Sequence, residues 1–253
     1  MGVTLGVLSR AAPHRLHAAR SLTIQLEGAR LHNRTWAEVA AGANTLGVLH
    51  GTGEWELVQF IGAELIGLDR YRLSGLLRGL GGTEVASDGD LPAGAPVVLV
   101  DGALERARVS EAERGTELLW RAVPAGAAHP VLTSEQRFTW KGLHARPWSP
   151  AHLRAERTGV GGLRLRWTPR ACRGWDSWDG EAVELETRLH QITVRTGSRV
   201  LRTWEALGTT AEYAAEALAA DRGAAGHEPL WVEVRQGAAG FGWGAPARGA
   251  PEP

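Results

Sequence analysis

The sequence predicts a mainly β protein: a mixed, β-rich domain with one short helix, followed by a sandwich of short strands. Three observations predict it. Apolar and polar residues alternate with period two at 22–26, 163–168 and 230–235, as strands with one buried face require. Glycines at 67, 75, 79, 81 and 82 argue against a helix over 65–80, since each costs about 1 kcal/mol relative to alanine inside a helix. Tryptophan, at 11 residues against 3 Phe and 2 Tyr, dominates the aromatics, and its large ring with a single N–H suits half-buried strand faces and interfaces.

Taken in order, residues 1–19 are rich in Ala and Arg without periodicity; they read as a flexible lead, disordered or docked on something outside the chain. The strand at 22–26 opens the first domain. Thr35 precedes Trp36-Ala37-Glu38-Val39-Ala40, with Glu38 at capping-box spacing and Gly42 as a stop, so a short helix is expected there. The run 55–66 turns back through Gly67-Leu68-Asp69-Arg70 into Tyr71-Arg72-Leu73-Ser74, an antiparallel hairpin. Residues 81–96 read largely as loop, the run 95–101 as a buried strand, and 118–123 and 137–140 as two more strands.

Two prolines in Arg146-Pro147-Trp148-Ser149-Pro150 mark a boundary, since neither a helix nor a central strand runs through them. Beyond it, alternating segments at 151–155, 163–168, 191–195, 199–204 and 230–235 are separated by turns. The expected organisation is therefore 1–19 flexible, 20–146 a β-rich domain, 147–245 a sandwich and 246–253 a flexible tail.

Charge excludes some function classes. Lys plus Arg and Asp plus Glu both number 28, and the balance holds on either side of the boundary, 15 against 15 in 1–146 and 13 against 13 in 147–253. No net field draws the chain to nucleic acid or an anionic membrane. The one cysteine, Cys172, rules out an intramolecular disulfide framework and a multi-thiolate metal site. No apolar run approaches the length of a membrane span, and the N-terminal stretch lacks the apolar core of a signal peptide.

Tests for catalytic chemistry end in turns. Arg78-Gly79-Leu80-Gly81-Gly82-Thr83 is glycine-rich but lacks the Lys-Ser/Thr ending of a phosphate loop. Glu84, Asp88, Asp90 and Asp101 supply oxygen ligands without the spacing or terminal glutamate of a calcium loop. His144, His152 and His190 form no metal pair, and no nucleophile elbow occurs. No cofactor is expected. The best contact surface is Trp175-Asp176-Ser177-Trp178-Asp179-Gly180, where Trp175 and Trp178 can stack on a sugar ring while Asp176 and Asp179 accept its hydroxyls; the other reading has the indoles pinning a loop over the sandwich.

The motif Gly53-Glu54-Trp55…Gln59-Phe60, followed by Tyr71-Arg72-Leu73-Ser74-Gly75-Leu76-Leu77-Arg78-Gly79 and Gly82-Thr83, with Gly42-Ala43-Asn44 ahead of it, resembles the C-terminal region of the tail-hub (baseplate, host-specificity) proteins of gene transfer agents and long-tailed phages. The later strands, with Leu-x-Leu-x-Trp at 163–167 and Trp-x-Glu-Val-x-Gln at 231–236, resemble a fibronectin type III sandwich. The family's N-terminal TIM-barrel, glycoside-hydrolase-like part has no counterpart here, which implies a separately encoded or truncated piece. The resemblance implies a non-enzymatic structural protein of a tail tip or baseplate, assembled in the bacterial cytoplasm. Its partners would be other tail proteins, a host-surface glycan or further copies of itself. The alternative is a carbohydrate-binding accessory module or a fragment of a cell-wall glycoside hydrolase.

Overall fold

A computed structural model describes residues 1–13, 15–121, 135–170, 189–238 and 241–251. The chain divides into two compact units, Met1–Leu143 and His144–Pro253.

The first unit contains strands β1 (Gly2–Thr4), β2 (Leu16–Leu26), β3 (Thr45–Leu49), β4 (Trp55–Gly67), β5 (Arg70–Leu80), β6 (Pro96–Val100), β7 (Glu117–Arg121) and β8 (Glu135–Thr139), with helices α1 (Trp36–Ala40) and α2 (Glu84–Ser87). Six of the strands close a barrel in the order β1-β2-β5-β4-β3-β6, with every neighbouring pair antiparallel. Closure removes the exposed edges that would otherwise pair with other chains. Alternate residues point inward, so Leu22, Ile24 and Leu26 of β2 meet Leu46, Val48, Val58, Phe60, Leu73 and Val97 in one apolar core.

The expected hairpin is β4–β5, and Asp69 makes its turn at φ 52°. The expected helix is α1: Thr35 accepts the Glu38 N–H while Glu38 accepts the Thr35 N–H, a complete capping box. The Glu38 carboxyl lies below the usual carboxylate range, chiefly because of the hydrogen bond from the Thr35 backbone.

Two expectations fail here. Residues 1–19 are not a flexible lead: β1 closes the barrel between β2 and β6, pairing Gly2 with both Leu26 and Val97, and β2 begins at Leu16. Three residues paired across such distances leave no local periodicity to read. The loop expected at 81–96 contains α2, a single turn started at Thr83.

The second unit contains β9 (Ala151–Arg157), β10 (Leu163–Thr168), β11 (Leu189–Thr196), β12 (Arg199–Leu207), β13 (Thr210–Tyr213), helix α3 (Ala215–Ala225), β14 (Leu230–Ala238), β15 (Gly242–Trp243) and β16 (Ala247–Gly249). One sheet runs β13-β10-β9 and the other β12-β11-β14, with β15 and β16 both paired to β14. The first, second and fifth strands thus face the third, fourth and later ones, the arrangement of a fibronectin type III-like sandwich. Leu163, Leu165 and Trp167 from one sheet and Ile192, Val194, Val232 and Val234 from the other fill the space between.

Helix α3 lies outside the strand pattern and is held by its Asp221, which accepts from Tyr213 Oη at 2.6 Å and from Arg202 Nε at 2.8 Å. The tail expected to be flexible from 246 onward instead supplies β16, held by Arg248 Nε to Glu233 at 2.9 Å. Arg195 reaches the same carboxylate from β11, at 3.1 Å, so Glu233 ties three strands.

Candidate functional site

The motif that carries the resemblance converges on a buried ion pair inside the first unit. Glu56 sits on the inward face of β4 with Val58 and Phe60, and Arg78 lies near the end of β5; neither side chain is exposed. Arg78 Nε donates to Glu56 Oε1 at 2.8 Å and Nη2 to Oε2 at 2.6 Å, a bidentate fork. The third guanidinium nitrogen donates to the Ser9 carbonyl at 2.7 Å. Glu56 also accepts the Gly79 N–H at 3.1 Å and lies 2.7 Å from His50 Nε2. A buried charge is tolerable only with its partners in place, and both groups here have them.

The rest of the motif braces the same wall. Gln59 Nε2 lies within hydrogen-bonding distance of the Val39 and Ala43 carbonyls and of Thr45 Oγ1, at 2.9, 3.2 and 3.1 Å, tying α1 and its exit to β3 and β4. Asn44, at φ 53°, donates to the His32 and Phe60 carbonyls. Thr83 Oγ1 accepts the Leu57 N–H at 3.0 Å and donates to the Leu80 carbonyl at 2.7 Å.

Gly79 adopts φ +65°, and a Cβ there would fall 2.8 Å from both Pro13 Cβ and Ser87 Oγ. The glycine-rich run Arg78–Thr83 is therefore the turn that packs α2 against the barrel wall.

The sequence singled out other residues, and the structure separates them. Asp90 Oδ1 accepts the Arg10 N–H at 2.7 Å, Asp101 Oδ1 accepts the Ala103 N–H at 3.0 Å, Asp88 ends α2, and Glu84 is buried in it. Among the described residues no three His, Cys, Asp or Glu side chains gather where a metal ion would fit, and no helix is long and apolar enough to cross a membrane. His190 is buried with its ring 5.0 Å from that of Trp167, and His152 takes φ 52°. Trp175, Asp176, Trp178, Asp179 and Cys172 lie outside the described residues.

Sequence reasoning identified the motif but not the pairing at its centre. The available signal was a lone charge at an inward position in each of two apolar strands, Glu56 between Trp55 and Leu57 and Arg78 between Leu77 and Leu80.

Comparison with known proteins matches residues 1–98 to the family described as Rcc01698-like, C-terminal. The matched segment runs from β1 into β6, so it spans the six barrel strands. No curated protein matches the chain. Among solved structures, domains d3–d4 of the rat CD45 extracellular region align at 12% identity and TM-score 0.28, covering 60% of this chain and 71% of that one. A two-domain fibronectin type III segment of chicken tenascin aligns at 10% identity and TM-score 0.27, covering 98% and 97%. The FN1–FN3 domains of chicken CNTN1 align at 12% and 0.27, covering 96% and 66%. The sandwich assignment of the second unit rests on its own strand order.

Proposed function

We propose that this chain is a non-enzymatic structural component of a phage or gene-transfer-agent tail tip or baseplate, whose β units make protein–protein or host-surface contacts. One observation carries the reading. The motif shared with tail-hub proteins is consumed in bracing a closed barrel: Glu56, Gln59, Arg78, Gly79 and Thr83 all spend their polar groups on the fold itself. Motif residues so occupied do the work of a scaffold, and a scaffold serves by the surface it presents. The match of residues 1–98 to the Rcc01698-like, C-terminal family supports the same assignment.

Mass spectrometry of tail particles purified from the native host tests it. The chain is expected in fixed ratio to the other tail proteins; its absence from intact tails overturns the proposal.

A further inference from the structure

Two Asp-Gly pairs lie among the described residues, Asp88-Gly89 and Asp101-Gly102, and both are exposed. They differ in what holds the glycine nitrogen. Gly89 N–H donates to the Ala86 carbonyl at 3.2 Å, closing the end of α2, with Asp88 in helical conformation as its C-cap. Gly102 lies in the turn after β6, where Leu104 N–H donates to the Asp101 carbonyl at 3.2 Å; its own N–H has no partner among the described residues.

The Asp101 side chain is turned toward that free nitrogen. Its Oδ1 accepts the Ala103 N–H at 3.0 Å, which curls the carboxyl back over the Gly102 peptide. Glycine presents no Cβ to obstruct the approach, and the space where one would sit is open, with nothing within 4 Å. At Asp88 the same approach requires the Gly89–Ala86 bond to break first.

We propose that Asp101 is a site of spontaneous isomerisation to isoaspartate, and that the fold protects Asp88 from the same change. The Gly102 nitrogen bonds to Cγ of the protonated Asp101 carboxyl; its hydrogen and the carboxyl hydroxyl leave as water, closing a succinimide ring. Water then adds to either ring carbonyl. Opening at Cγ restores aspartate, whereas opening at the main-chain carbonyl carbon leaves the chain running through Cβ and Cγ, one methylene longer, with a free carboxylate on Cα. The overall composition is unchanged, and the step needs no oxidant or cofactor. Val100, the residue before, makes the last β6 pair, with Thr45, so the lengthened link falls just outside the barrel ladder. The barrel stays closed while the path toward β7 is rerouted. The new carboxylate is the group that an S-adenosylmethionine-dependent carboxyl methyltransferase would esterify. The inference stands whether or not the chain is a tail component.

Ageing the native full chain at mildly acidic pH and physiological temperature tests it, with isoaspartate located by tryptic mapping and electron-transfer fragmentation. Asp88 and Asp101 fall in one tryptic peptide, 79–106, so each is the other's internal reference, and Asp179-Gly180 falls in another. Asp101 is expected to convert about fivefold faster than Asp88, the rate equivalent of one net hydrogen bond of about 1 kcal/mol. The gap should vanish when the chain is aged unfolded in urea. Gly102→Ala, whose methyl meets open space, should slow conversion at Asp101 and leave Asp88 as it was. The proposal is overturned if Asp101 converts no faster than Asp88 in the native chain, if the same gap persists in urea, or if Gly102→Ala leaves the Asp101 rate unchanged.

Discussion

Arg78 grips Glu56 through two parallel hydrogen bonds of 2.8 and 2.6 Å, and both side chains are fully buried. The pair joins β4 to β5 near the barrel end where the Ser9 carbonyl also meets the guanidinium.

Breaking this pair from one side strands a buried charge, which costs about 3–5 kcal/mol. Arg78→Met is therefore expected to lower the urea stability of the first unit by that amount. The double variant Arg78→Met, Glu56→Leu should recover part of the loss, because it removes the stranded carboxylate. It should stay below the parent, because the Gly79 N–H and Ser9 carbonyl lose their partners. A single variant within 1 kcal/mol of the parent contradicts the bracing role.

Gly79 and Gly94 both take positive φ, +65° and +82°, but only Gly79 has neighbours where a Cβ would sit. Gly94→Ala should cost only the backbone strain, about 1–2 kcal/mol. Gly79→Ala should cost clearly more and disturb α2, with thermal melts of the two variants compared side by side. Equal costs would mean that the close approach of Pro13 and Ser87 is unimportant.

Gln59→Leu keeps most of the side-chain volume and removes the amide that serves Val39, Ala43 and Thr45. The loss should be about 1–3 kcal/mol. Hydrogen exchange should rise first in α1 and at the Ala43–Thr45 connection; unchanged protection there contradicts the assignment.

In the second unit, burial first, then the hydrogen bond to Asp221, holds the Tyr213 hydroxyl well above its ordinary range. Burial alone would push the Asp221 carboxyl up, but hydrogen bonds from Arg202 and Tyr213 outweigh it and hold the group low. A raised folded pKa gives stability that is present below the unfolded tyrosine value of about 10 and declines as pH climbs past it. A lowered carboxyl gives stability present above about pH 3.9 and lost as pH falls through the folded value. Tyr213→Phe should thus melt lower than the parent near neutrality and show a smaller further loss above about pH 10. Parallel melting curves for parent and variant across the alkaline range contradict the linkage.

The fold was legible where its causes are local. The α1 capping box lies within four residues, and the β4–β5 hairpin announces itself by two apolar runs around Leu68-Asp69. The closing strand β1 was hidden because its three residues matter only through Leu26 and Val97. Helix α3 was missed for another reason: Ala214 gives it no side-chain cap, Gly223 sits inside it, and Asp221 finds its partners on β12 and β13. The same distance effect hid the Glu56–Arg78 pair, whose members are 22 residues apart.

Binding of the immobilised full chain to the purified products of the genes that neighbour its own tests the central claim most directly. The account predicts saturable binding to at least one of them. It predicts too that the binding weakens when the barrel is loosened by Arg78→Met and is restored toward the parent in the double variant with Glu56→Leu. A chain that binds none of them, and instead hydrolyses peptidoglycan, contradicts the account.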